Sequence, residues 1–480
     1  MLMMPEIIVI LTAFGVLVLD LFLTERSRWI LAPLALIGLA GAFAALYMTP
    51  LHEQMLGGRF VMDPVAWWFK VVFLLSGAIT ILISMDLLNG KTGVRIRGIG
   101  FRGEYFTVLL FTITGMMYLI SARDLITLYV SLELATIPLF VLTAWRRDDA
   151  RSGEAGLKYV ILGALASAFI LYGMGLIYGL TGSLNLDTIG HALTPGRNAV
   201  FWLAIAALFA GVGFKLTIVP FHLWAADVYQ GAPTPVTAYL SVASKGAGLA
   251  FMFQIFFRML GPWIPDGALL IALFAASTMT LGNTVAIVQH NIKRFMAFSA
   301  ISQAGYFLMG FLGPSSAGVP AMLFYMLVYV VSNMGVFTAI VWFANETGRE
   351  QIEDYRGLCR TNPLMALAMM VALFSLAGIP PLSGFVGKFF LFSIASQAGF
   401  HWLVAVAAVN STISLYYYLR VVRQMYIEPG GEDARALPVS RKLALTQAVL
   451  LLGVVFLGLV PGIYESIHAD TASWLAALIR

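Results

Sequence analysis

Glu133, Lys215, Lys245 and Lys388 each lie inside a long apolar stretch of this 480-residue chain. A charge near the middle of a bilayer costs about 2.5–3.5 kcal/mol on insertion scales, so such residues persist where they face one another or water. Burial disfavours the charged form of both a carboxylate and an ammonium, and an opposite charge restores it. Placed together, the two titrate as one coupled unit, which is the chemistry of proton transfer. Glu133 sits centrally in LITLYVSLELATIPLFVLTAW, and Lys215 stands just before Pro220. Lys245 is flanked by Ser241, Ala243, Ser244, Gly246 and Ala247, which leaves room for water. Lys388 follows Pro380–Pro381, with Gly384 and Gly387 nearby. A relay of these four residues is the functional reading. Helix packing for Glu133, and snorkelling or a structural role for the lysines, is the plainer alternative.

The remaining ionisable residues read more simply. His222, just past Pro220, has a protonation range suited to transfer, but a lone histidine at a break is more often a hydrogen-bonded structural group. Lys293 and Arg294 read as topology charges, Lys70 as a snorkelling lysine shortly after Pro64, and Asp20 and Asp227 as interfacial. No His/Cys/Asp/Glu cluster has metal-ligand spacing. One cysteine, Cys359, excludes a disulfide framework, a CxxC pair or an iron–sulfur site built from this chain alone.

The elements that must position these groups are membrane helices. Hydrophobic residues make up 60% of the chain and charged residues 11%, and the mean hydropathy is +0.88. Soluble chains carry about 25% charged residues. A span needs about 20 mostly apolar residues, and about fourteen such segments can be placed. Two are broken by proline: the seventh, 199–229, at Pro220, and the twelfth, 363–397, at Pro380–Pro381. Proline in a helix frees backbone groups that need protein or water partners, so both breaks mark a polar path. TIVPFHLW and AGIPPLSGF form a weak internal echo, which predicts two inverted five-helix repeats. The expected fold is therefore an all-α polytopic membrane protein: an N-terminal three-helix segment (1–103), repeats at 104–260 and 261–428, and a C-terminal helix and tail (429–480). With the N-terminus outside, roughly 20 Lys and Arg fall in inward-facing loops, including the basic loop 87–103, and about 5 fall outside. That predicts both termini on the outer, periplasmic side of a bacterial inner membrane, and no nucleic-acid partner despite the net charge of +5.

At these residues the chain resembles the antiporter-like subunits of respiratory complex I, the proton-pumping NADH–quinone oxidoreductase. PFHLWAADVYQGAPTPVTAYLS (220–241) resembles the seventh/eighth-helix signature of the subunit N family, and FSLAGIPPLSGFVGKFFLF (374–392) its broken twelfth helix. Lys388, where the M family carries glutamate, the VYQGAPTPV wording, and the lack of the long lateral helix of the L family all favour the N branch. The resemblance implies that Glu133, Lys215, Lys245 and Lys388 are the relay residues of the fifth, seventh, eighth and twelfth helices. It implies that NADH, FMN, iron–sulfur clusters and quinone belong to partner subunits, with none bound here. It implies as neighbours the related subunit M, small helical subunits and the lipid bilayer. The expected function is outward proton translocation coupled to electron transfer elsewhere in the complex. The rivals are an Mrp-type cation/proton antiporter subunit, a structural spacer, and a membrane subunit of a related hydrogenase.

Overall fold

The computed structural model describes residues 2–24, 26–88, 102–193, 199–260, 264–430, 435–460 and 462–478. Most of the basic loop 87–103, including Lys91, Arg95 and Arg97, lies outside the described residues. The chain begins with α1 (Met4–Phe22) and α2 (Leu31–Met48). A small antiparallel hairpin follows, β1 (Glu53–Met55) with β2 (Phe60–Met62), pairing Glu53 with Met62. Then come α3 (Pro64–Leu88), α4 (Arg102–Ser121), α5 (Leu125–Thr143), α6 (Ala150–Thr181) and the short α7 (Leu186–Ala192). The first broken helix is α8 (Ala199–Leu216) followed by α9 (Ala225–Gly231). After it run α10 (Thr234–Tyr239) and α11 (Lys245–Phe253), joined by a π-helical segment, Leu240–Ser244; a second, Gln254–Met259, follows α11. The chain continues through α12 (Ile264–Ile287), α13 (Ile292–Leu308), α14 (Ser315–Thr347) and the one-turn α15 (Leu358–Thr361). The second broken helix is α16 (Pro363–Ala377) with α17 (Ser383–Gln397), and α18 (His401–Tyr426), α19 (Arg441–Leu459) and α20 (Gly462–Leu478) complete it.

Twelve helices among the described residues are long and apolar enough to cross a membrane. The 17-residue α13 is prolonged by a three-ten turn, Met309–Phe311, and α16 with α17 makes one interrupted crossing. Together these account for the fourteen segments expected. Side-chain caps start several helices: Asp124 accepts from Thr127 N–H at 2.9 Å before α5, and Asn291 accepts from Lys293 N–H at 3.0 Å before α13. Gly182 and Gly348, both left-handed, close α6 and α14.

The hairpin, α7, α20 and the amino ends of α1 and α3 share one face. Asp63 before α3 is held by Arg123 and, at 2.7 Å, by Arg258, whose guanidinium also lies over Trp474 of α20. The opposite face is tied by backbone links such as Ile292 N–H to the Glu350 carbonyl and Gly357 N–H to the Gln424 carbonyl. α14 runs through the middle, almost wholly buried. It packs against α3, α10, α16, α17, α19 and α20.

Candidate functional site

Both breaks fall where proline removes a helical donor. In the first, α8 stops at Leu216 and Thr217 takes a left-handed conformation (φ 61°). Ile218 N–H folds back to the Gly213 carbonyl at 2.8 Å, and the Trp224 indole donates to the Phe214 carbonyl at 3.0 Å. In the second, α16 stops at Gly378 (φ 89°), and Gly378 and Ile379 N–H both return to the Phe374 carbonyl at 3.1 Å. Val219–Pro220 and Pro380–Pro381 are cis peptides. Each break leaves carbonyls at a helix C-terminus, the negative end of the helix dipole, which favours a cation.

Lysines take those carbonyls. Lys245 is buried and donates to Thr217 Oγ1 at 2.8 Å and to the Leu216 carbonyl at 3.5 Å. Lys388 donates to the carbonyls of Leu376 at 2.9 Å and Ala377 at 3.0 Å, to Ser411 Oγ at 3.3 Å, and lies 4.5 Å from the Tyr306 ring centroid. Thus the first break is capped by a lysine from the next membrane segment, and the second by a lysine from its own second half.

Lys215, in the last turn of α8, is also buried, but its ammonium has no hydrogen-bond partner among the described residues. The rings of Phe140 and Phe214 flank it at 6.0 Å. Glu133 is the carboxylate whose charge acts on it, although the two are not in direct contact. Glu133 itself is half-buried on α5 and accepts from Ser167 of α6 at 2.6 Å. The Ser244 hydroxyl donates to the Lys215 carbonyl at 3.2 Å, so the backbone of Lys215 and the helix bearing Lys245 are joined directly.

Sequence reasoning missed the side chains between the two breaks. Asn333 of α14 donates to Ser241 Oγ, one turn before Lys245. Its neighbour Ser332 shares a 2.7 Å hydrogen bond with Ser375, which contacts Ser383 at 3.1 Å and accepts from Gly384 N–H at 3.0 Å. Gln303 donates to the Leu376 carbonyl at 3.2 Å, the same oxygen that Lys388 uses, and Tyr325 donates to Gln303. Buried polar contacts from α14 therefore reach both breaks, Asn333 at Ser241 in the helix that carries Lys245 and Ser332 at the Ser375–Gly384 junction of the second break. Serine and asparagine in an apolar helix give little pattern to read; two adjacent polar residues in the middle of α14 were the available signal.

Other placements differ from the sequence reading. Lys70 does not snorkel: it is fully buried and paired with Glu6, because α2 and α4, which pack on both α1 and α3, enclose the two side chains. Asp20 lies near the end of α1 but is buried there, 2.9 Å from Arg28 and accepting from Gly103 N–H, so it ties helix ends together. Lys293 is more than a topology charge; it is buried, 2.7 Å from Glu350 and 3.2 Å from the Ala232 carbonyl. Asp227 stays partly exposed and binds Lys158 at 2.7 Å and Arg294 at 2.5 Å, which tethers α9 to α6 and α13. His222 is buried inside the first break. Among the described residues no group of three or more His, Cys, Asp or Glu could hold a metal ion.

A helical membrane protein with two interrupted helices and lysines at the interruptions is the class these features define. Residues 122–414 match the family described as "NADH:quinone oxidoreductase/Mrp antiporter, TM". NADH-quinone oxidoreductase subunit N of Moorella thermoacetica is 42% identical over 458 residues, covering 95% of this chain and 94% of the relative. The subunit N of Trichlorobacter lovleyi is 40% identical over 482 residues, covering 99% and 96%. The chain therefore belongs to the NADH-quinone oxidoreductase subunit N family. A chain of respiratory complex I from Thermus thermophilus superposes with a TM-score of 0.81 at 33% identity, covering 97% of this chain and 100% of that one. A chain of the Mrp complex from Dietzia sp. shares the fold (TM-score 0.83) at 22% identity.

Proposed function

We propose that the chain is a proton-translocating subunit in the membrane arm of an NADH–quinone oxidoreductase. The observation that carries the reading is the capping of both helix breaks by buried lysines, with polar side chains of α14 packed against both breaks. Protons enter from the cytoplasm and load Lys215, whose ammonium has no fixed acceptor and so responds most directly to the Glu133 charge. They pass by way of Lys245 and water to Lys388 and leave on the outer side. The two five-helix units, 104–260 and 261–428, each contribute one broken helix. The chain carries no redox centre in this reading. NADH, FMN, iron–sulfur clusters and quinone sit in partner subunits, subunit M and small helical subunits adjoin it, and both termini face the periplasm.

The test is Lys215→Ala in inverted membrane vesicles, with NADH-driven acidification followed by a pH-sensitive dye. Acidification falls at least several-fold while the assembled complex is retained on blue-native gels. Undiminished acidification with normal assembly removes Lys215 from the relay. The same gels address the Mrp alternative, since co-migration with NADH dehydrogenase activity places the chain in complex I.

A further inference from the structure

Glu6 stands in the first turn of α1 and Lys70 two turns into α3, outside the region that holds both breaks. Lys70 Nζ lies 2.6 Å from Glu6 Oε1, and both side chains are 0% exposed. An intramembrane ionisable residue is by default a functional candidate, to be read with its partner. What singles out this pair is how little else supports its charges. Lys70 Nζ otherwise meets the Met62 thioether at 3.3 Å and lies 4.8 Å from the Phe60 ring centroid. Both are weak acceptors beside a carbonyl or carboxylate. Neither Glu6 oxygen takes part in a well-formed hydrogen bond with any described residue. Tyr118 of α4, half-buried, also feels the charge of Glu6.

Two other buried ions are held by more contacts. Asp63 accepts from Arg123, Arg258 and the Ala66 N–H, and Lys388 has three oxygen acceptors. In the Glu6–Lys70 pair the charge-separated form rests on one contact. Moving the proton from Nζ to Oε1 yields an amine and a carboxylic acid, conserves net charge, and removes two desolvation penalties in exchange for one attraction. α3 also reaches the relay. Phe73, one turn beyond Lys70, packs so closely on Gly246, next to Lys245, that a Cβ there would lie 2.8 Å from its ring.

We propose that Glu6 and Lys70 form a proton-exchange pair in the N-terminal three-helix segment, alternating between ammonium–carboxylate and amine–carboxylic acid as the relay charges and discharges. This rests on the proton-pump reading above. Phe60 and Met62 of the hairpin are buried against the pair, so the proton moves within it and is not released to water, and the close Phe73–Gly246 approach ties α3 to the helix of Lys245.

The test is infrared difference spectroscopy of the assembled complex, NADH-reduced minus oxidised. A protonated-carboxyl band is expected that shifts on 13C-glutamate labelling and is lost in Glu6→Gln. A Glu6→Gln spectrum that superimposes on the parent's overturns the proposal. Should that variant fail to assemble, the Glu6→Gln/Lys70→Gln double variant carries the same comparison without a lone buried charge. A labelled parent complex with no glutamate carboxyl band overturns the proposal with no variant needed. The spectra are taken with Lys215 intact, so failure here is separate from failure of the Lys215→Ala pumping assay.

Discussion

At the scale of single residues, the ammonium groups differ in what holds them, and that difference sets what each can do. Lys245 has one close acceptor, the Thr217 hydroxyl, and one long one. A hydrogen bond to a charged group is worth about 1.5–3 kcal/mol, a factor of roughly ten to a hundred in the population of the held proton. Thr217→Val keeps the β-branched shape in the left-handed turn and removes the acceptor, together with the hydroxyl's own donation to the Leu216 carbonyl. NADH-driven acidification in vesicles should fall about tenfold or more, with assembly unchanged. Thr217→Asn restores an acceptor and tolerates the left-handed conformation, so it should recover most of the rate. Equal rates for Thr217→Val and the parent would show that the hydroxyl does not hold a transferred proton. The four residues proposed as a relay stood out in the sequence because a charge inside an apolar run is conspicuous. Thr217 was not, since its role comes from a backbone turn that only the fold displays. The Glu6–Lys70 contact was hidden for another reason: apolar runs reveal helices but not which helices are neighbours.

At the scale of elements, the interruptions were visible as prolines inside long apolar segments, and their bounds agree closely with the structure. The π-helical segments on either side of α11 were not foreseen. Their sequences, LSVAS and QIFFRM, contain neither proline nor glycine and so carry no local break signal. The second break depends on close approach of its two halves. A Cβ on Gly384 would sit 1.7 Å from the Ser375 carbonyl oxygen and 2.5 Å from its carbon, which are backbone atoms that cannot rotate away. Gly384→Ala must push α17 off α16, and with it Lys388 off the Leu376 and Ala377 carbonyls. Overpacking of this kind costs about 1–3 kcal/mol or more. The variant should lose pumping, or the assembled complex itself on blue-native gels. Gly175→Ala on α6, where a Cβ would meet nothing within 4 Å, is the matched control and should leave both unchanged. Normal pumping by Gly384→Ala would mean that the halves need not touch for the relay to work.

At the scale of the whole molecule, the two faces carry different tasks. The face of the hairpin, α7 and α20 is fastened by Asp63 between two arginines, while the other face gathers Lys158, Asp227, Lys293, Arg294 and Glu350. The excess of Lys and Arg in the loops of that second face argues that it is cytoplasmic, since loop cations resist translocation. The chain offers a direct assay of this orientation, because it has a single cysteine, Cys359, partly exposed in α15 on the cation-rich face. A membrane-impermeant maleimide should label the subunit in inverted vesicles and not in intact spheroplasts. Replacing Ser466 of α20, exposed on the opposite face, with cysteine in a Cys359→Ser background should reverse the pattern. Labelling of Cys359 from outside intact cells would invert the molecule. The proton path would then run from Lys388 towards Lys215, and the loop charges would have to be explained by contacts within the membrane arm.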